Sequence, residues 1–136
     1  MFYEIIHGIY ISDIDTSYDI HLYNRYNITI ILNCTQTGQF VDLDIKKSRI
    51  PLSQDMNVHT DLDLLRRNMT KIVDYIYNNF IDHNILITCY DGLTISPLIV
   101  AFFLNKYGNI PLHEVKSVLK SKNNSIRIDY DLDRFI

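Results

Sequence analysis

The sequence predicts an α/β fold, and three observations carry that prediction. Two continuous runs of branched apolar residues, Ile28 to Asn33 and Ile85-Leu86-Ile87, read as strands buried on both faces. Between Leu62 and Phe80 apolar residues recur at helical spacing. Residues 97–104 are apolar nearly all round, as a central buried helix would be. Strands that alternate with helices indicate α/β architecture. The 136 residues are 47% hydrophobic and 21% charged. They form one domain, 1–136, long enough to bury a single sizeable core.

Taken in order, Phe2 to Ile6 and Gly8 to Ser12 read as short strands joined by a turn at His7-Gly8. Residues 17–26 read as a short helix, followed by the buried strand from Ile28 to Asn33 and a loop over 35–39. Residues 45–52 contain another strand, ended by Pro51. The long helix starts near Thr60, where Thr60 and Asp63 look like a capping pair. Leu62, Leu65, Met69, Ile72, Val73, Ile76 and Phe80 face the core, and Arg66, Arg67, Lys71 and Asp74 face solvent. After the strand at Ile85-Leu86-Ile87 comes a loop, then the apolar helix. Ser96 is placed to cap that helix, Pro97 suits its first turn and Gly108 ends it. Pro111 opens a further helix with Leu112, Val115, Val118 and Leu119 inward, and residues 129–136 end the chain with a last short helix.

Charge and composition narrow the function. A net charge of -3 supplies no basic field for nucleic acid. No run approaches about 18 uninterrupted apolar residues, so no membrane span is expected. The N-terminal stretch has neither the basic start nor the apolar run of a signal peptide. Cys34 and Cys89 make no disulfide framework and point to a reducing compartment, the cytoplasm. The bias toward Ile, Asn and Tyr, with Ala101 the single alanine, suggests an AT-rich genome such as that of some large DNA viruses or protists. For a virus the compartment becomes the host cytoplasm. His59 and His83 lack metal-ligand spacing, and no metal or other cofactor is expected.

One stretch, residues 86–98, has the layout of an anion-gripping loop: an apolar strand, Cys89, a turn at Gly92, then a helix start at Ser96. Successive N–H groups in such a turn point into a concavity, and the following helix adds partial positive charge. A cysteine at its head can act as a nucleophile. A free cysteine is more commonly a small buried hydrophobe, and spacing alone leaves both readings open.

The residues nevertheless resemble the cysteine-dependent dual-specificity protein phosphatases. That family carries His-Cys-x-x-Gly-x-x-Arg-Ser in its active loop, and this chain has Thr88, Cys89, Gly92, Ile95 and Ser96 at those positions. Further segments are similar to the family: Gly8-Ile9-Tyr10-Ile11-Ser12, Ile31-Leu32-Asn33-Cys34-Thr35, the stretch from Arg49 to Asp55, and the segments 103–109 and 118–122. The resemblance covers nearly the whole chain. It implies a central, mostly parallel twisted sheet of about five strands flanked by helices, with Cys89 at the nucleophile position and Asp55 at the general-acid position.

The departures bear on chemistry. In the family the loop arginine holds the phosphoryl group in a bidentate fork and stabilises transition-state charge. Here that residue is Ile95, which has no donor. Losing one oxyanion donor typically costs about 10²–10³ in rate, and the arginine supplied two donors and a charge. Thr88 stands where a histidine tunes the thiol, so the thiol of Cys89 is expected near its unperturbed value. If the Asp91 carboxylate faces the pocket, it repels a bound anion at 4 Å by roughly 4 kcal/mol at an effective dielectric of 20.

The resemblance with these departures implies a pseudophosphatase: a degenerate loop (Cys89, Asp91, Gly92, Ile95, Ser96), a vestigial acid at Asp55, and action as a scaffold that binds a protein, a phosphoprotein among the candidates. Tyr3, Tyr18, Tyr26 and Phe40 are candidate contacts if exposed. Two alternatives are a working phosphatase on phosphoprotein or RNA 5′-phosphate using Cys89 and Asp55, and thiol chemistry between Cys34 and Cys89. The former needs a cation from elsewhere, for which Arg66 and Arg67 are candidates.

Overall fold

A computed structural model describes residues 1–53, 59–128 and 131–135. The elements are β1 (Phe2–Ile6), β2 (Ile9–Asp13), α1 (Ile20–Tyr26), β3 (Ile28–Asn33), β4 (Lys46–Arg49), α2 (His59–Asn79), β5 (Asn84–Cys89), α3 (Ile95–Tyr107) and α4 (Leu112–Lys122). Short 3-10 turns occupy Thr16–Tyr18 and Leu132–Phe135.

The five strands form one sheet in the order β1-β2-β5-β3-β4. The pairings β2–β5, β5–β3 and β3–β4 are parallel, while β1 runs antiparallel to β2 at one edge. The sheet is therefore mixed, with a parallel centre. Side chains of a strand alternate between faces. On β5, Ile85, Ile87 and Cys89 join the main core with α2, α3 and α4, while Leu86 enters a smaller cluster with Tyr10, Tyr23, Ile28 and Ile31. Apolar cover on both faces is why the β3 and β5 sequences are nearly continuous in branched residues.

Helix ends show where local chemistry differs from the sequence expectation. The segment 17–26 is divided: Asp19 is extended (φ -80°, ψ 101°), and its carboxylate accepts the His21 N–H at 3.0 Å, so α1 starts only at Ile20. Asn27, in the left-handed region at φ 53°, ends it. Thr60 lies inside α2 rather than capping it. Asp61 is the residue that ties the start of α2 down, accepting the Ser53 N–H at 2.9 Å and the Ser53 hydroxyl. Ser96 is likewise the second residue of α3 and not its cap; Thr94 precedes the helix and caps nothing with its side chain. Gly108 ends α3 as expected, donating to Leu104 O at 2.9 Å. On α4, Val115 and Leu119 are buried, with Leu112 and Val118 packed partly against the core.

Ile87 sits at the middle of this arrangement, fully buried on a strand paired on both sides. Ile87→Ala should cost about 2–5 kcal/mol in stability. Chemical denaturation followed by circular dichroism measures it; a loss below about 1 kcal/mol would mean the site relaxes around the deletion.

Candidate active-site loop

In open sheets with parallel strands, sites form at the carboxyl ends of the strands. Here β5 ends at Cys89, and α3 begins six residues later at Ile95. Its neighbours fix where the loop starts: Asp13 of β2 is level with Cys89, and Asn33 of β3 is level with Thr88. The loop then turns back over the end of β2. Gly92 has φ 69°, and a Cβ there would lie 2.8 Å from Asp13 N and 2.9 Å from Ser12 C. Only glycine fits both the conformation and the contact. The Tyr3 hydroxyl donates to Gly92 O at 2.8 Å, pinning the turn from β1.

Cys89 is completely buried. Its sulfur accepts the Ser96 N–H at 3.5 Å, and its thiol points to Asp91 Oδ1 at 3.7 Å. Burial pushes the thiol pKa up; the Ser96 hydroxyl and N–H pull it down, the Asp91 carboxylate pushes it up again, and the Gly92 N–H pulls it down. Burial prevails, so the thiol lies above its ordinary value rather than at it, which corrects the sequence expectation. The Ser96 hydroxyl is near enough to act on the sulfur, yet forms no hydrogen bond of acceptable geometry and is the one buried side-chain polar atom without a partner among the described residues. Thr88 turns away from the loop, donating to Ser12 O at 3.1 Å and accepting the Ser12 hydroxyl at 3.2 Å. Ile95 is fully buried in the main core.

Asp91 faces the loop interior. Its Oδ1 accepts the Leu93 N–H and the Thr94 hydroxyl, each at 2.9 Å, on the same oxygen that meets the thiol. Its Oδ2 pairs with Arg127 Nη2 at 3.1 Å. Arg127 is the site residue that sequence reasoning missed. In the stretch Ser125-Ile126-Arg127-Ile128 the alternation marks it as exposed, but the place where this extended tail crosses the loop has no sequence signal. The Arg127 N–H donates to Leu93 O at 2.8 Å, and that backbone bond delivers the side chain.

The other candidates fall elsewhere. Arg66 pairs with Asp63 at 2.7 Å and Arg67 donates to Asp63 O at 3.4 Å, both on the outer side of α2. His83 meets the Thr29 hydroxyl at 2.7 Å. Asp55 lies outside the described residues. Of the four candidate contact aromatics only Tyr18 is exposed; Tyr3, Tyr26 and Phe40 are partly buried by packing against the sheet. Cys34 follows β3 beside Cys89, with its N–H donating to Thr88 O at 2.8 Å. Both thiols are free and buried. Burial, then the neighbouring Cys89, pushes the Cys34 thiol well above its ordinary value. A cavity of about 400 Å³ lies between β4 and α2, lined by Leu32, Ile50, Pro51, Leu64 and Ile72 among others, and no residue of the loop borders it.

No family model matches the sequence, and no curated protein does either. Solved structures do. The chain superimposes on DUSP15 with a TM-score of 0.83 at 17% identity, covering 98% of this chain and 83% of that one. It has the dual-specificity phosphatase fold. A human tyrosine phosphatase-like serine/threonine/tyrosine-interacting protein gives 0.83 at 10% identity, covering 98% and 92%. Human DUSP28 gives 0.77 at 11% identity, covering 98% and 89%. At such identities the dual-specificity phosphatase likeness speaks for the fold alone. Among the described residues, no helix is long and apolar enough to cross a membrane.

Two measurements probe this geometry. Gly92→Ala should destabilise by about 1–3 kcal/mol, since strained φ and a backbone clash coincide; an unchanged melting temperature would contradict the close approach. The raised thiols also set a pH trend. A thiol whose folded pKa exceeds its unfolded one stabilises fully below the ordinary thiol range, and that contribution is lost as pH rises through the folded pKa. Urea midpoints should thus fall at alkaline pH, and Cys34→Ala/Cys89→Ala should flatten the slope. A double variant with the wild-type slope would remove the thiols as its cause.

Proposed function

We propose that this protein is a catalytically inactive dual-specificity phosphatase-like protein that acts as a cytoplasmic binding module or scaffold for a protein partner. The observation that carries the reading is Ile95, a buried aliphatic residue that ends the loop where the phosphatases use arginine. No loop side chain from Cys89 to Ser96 is cationic. Phosphoryl transfer relies on positioning and charge stabilisation more than on covalent chemistry by the protein, so a loop without its cation has lost the main catalytic term. Two further facts support it. The Cys89 thiol is raised, whereas a nucleophile needs its thiolate. A protein of the same fold is named as phosphatase-like and as an interacting protein. A phosphoprotein, or a protein bound independently of phosphate, is the partner class in view.

One observation favours the opposite reading. Arg127 brings a guanidinium to the loop from outside it. If it served the missing function, Cys89 would be the nucleophile and Asp55 the acid toward a phosphoprotein or an RNA 5′-phosphate. A small aryl phosphate separates the two. Wild type and Cys89→Ser should release phenolate at the same background rate, and the cellular effect of the protein should survive Cys89→Ser. Turnover by wild type that Cys89→Ser abolishes would establish the phosphatase instead.

A further inference from the structure

We propose that the loop is self-liganded: the Asp91 carboxylate is its resident anion, Arg127 is the cation that holds it there, and an external oxyanion of the phosphomonoester class binds only by displacing Asp91. The inference extends the inactive-loop reading by assigning what occupies the loop in place of a substrate. Each carboxylate oxygen has a defined role. Oδ1 takes the Leu93 N–H and the Thr94 hydroxyl at 2.9 Å each and stands 3.7 Å from the Cys89 sulfur. These are the kinds of donor that would grip a phosphoryl oxygen. Oδ2 takes the Arg127 guanidinium at 3.1 Å. The Asp91 side chain is only 16% exposed, so its charge needs this set of partners.

Arg127 is equipped to exchange one anion for another. Its backbone is fixed by the N–H bond to Leu93 O and by Ile126 and Ile128, both buried in the core on either side. Its side chain is 60% exposed and can follow a displaced carboxylate or stay with an incoming oxyanion. With Asp91 in place the pair is neutral and offers an external anion no net attraction. Removal of the carboxylate charge alone leaves the Arg127 guanidinium without its counterion at the edge of the loop, beside the Leu93 and Thr94 donors.

Isothermal titration of the full chain with inorganic phosphate tests this. Asp91→Asn keeps an acceptor for Leu93 and Thr94 but removes the charge, and should bind phosphate at least about tenfold more tightly than wild type. Asp91→Asn/Arg127→Gln should lose that gain. Wild type binding as tightly as Asp91→Asn, or the double variant binding as tightly as the single one, would overturn the proposal. Failure here is distinct from failure of the inactive-loop reading. Cys89-dependent turnover would end the latter, yet leave the displacement of Asp91 to be judged by the phosphate titration.

Discussion

The position of the loop depends on β5 being hydrogen-bonded along both sides. Pairing with β2 and β3 fixes the height at which Cys89 leaves the sheet, and side-chain alternation fixes the face on which its sulfur lies. Gly92 then brings the turn into van der Waals contact with the backbone of β2, which leaves little latitude in how the loop closes onto α3. The shape of an anion cradle follows from backbone geometry alone. Such geometry can persist at the 10–17% identity this chain shares with solved structures of the same fold.

What the loop lacks is a cation of its own. A cradle of N–H groups with no ligand would leave donors unsatisfied beside a buried sulfur. Asp91 supplies an acceptor from within the loop, and Arg127 supplies the counterion from the tail. The same carboxylate acts on the thiol in the direction opposite to the Ser96 and Gly92 donors. Tyr3, anchored on Gly92, feels both: burial first, then Cys89 and Asp91, raise its hydroxyl pKa. Three elements distant in sequence, β1, the loop and the tail, thus share one electrostatic environment.

Much of the fold was legible in the sequence because burial imposes pattern. The runs around Ile31 and Ile87, the stripe from Leu65 to Ile76 and the all-apolar segment around Val100 are each dictated by what covers them. Helix starts were less legible. Thr60 and Ser96 have the chemistry of caps, but each lies one residue inside its helix, and the tie at the start of α2 runs from Asp61 to Ser53 rather than between Thr60 and Asp63. At the site, the identity of Cys89, Gly92 and Ile95 was readable by resemblance. The orientation of Asp91 and the arrival of Arg127 were not, because both depend on where a strand-like tail of alternating residues crosses a turn 36 positions away.

The sheet's open side offers a last consequence. Among the described residues strand β4 has only β3 as a strand neighbour, and three of its four residues, Lys46, Lys47 and Arg49, are cationic and exposed. An unpaired strand invites the same strand of another molecule, and two such rows of positive charge repel one another on approach. At the far edge, β1 departs from regular register between Glu4 and Ile6, which spoils the template there as well. Both edges of the sheet thus carry features that discourage edge-to-edge pairing, a safeguard suited to inner strands as rich in isoleucine and leucine as these.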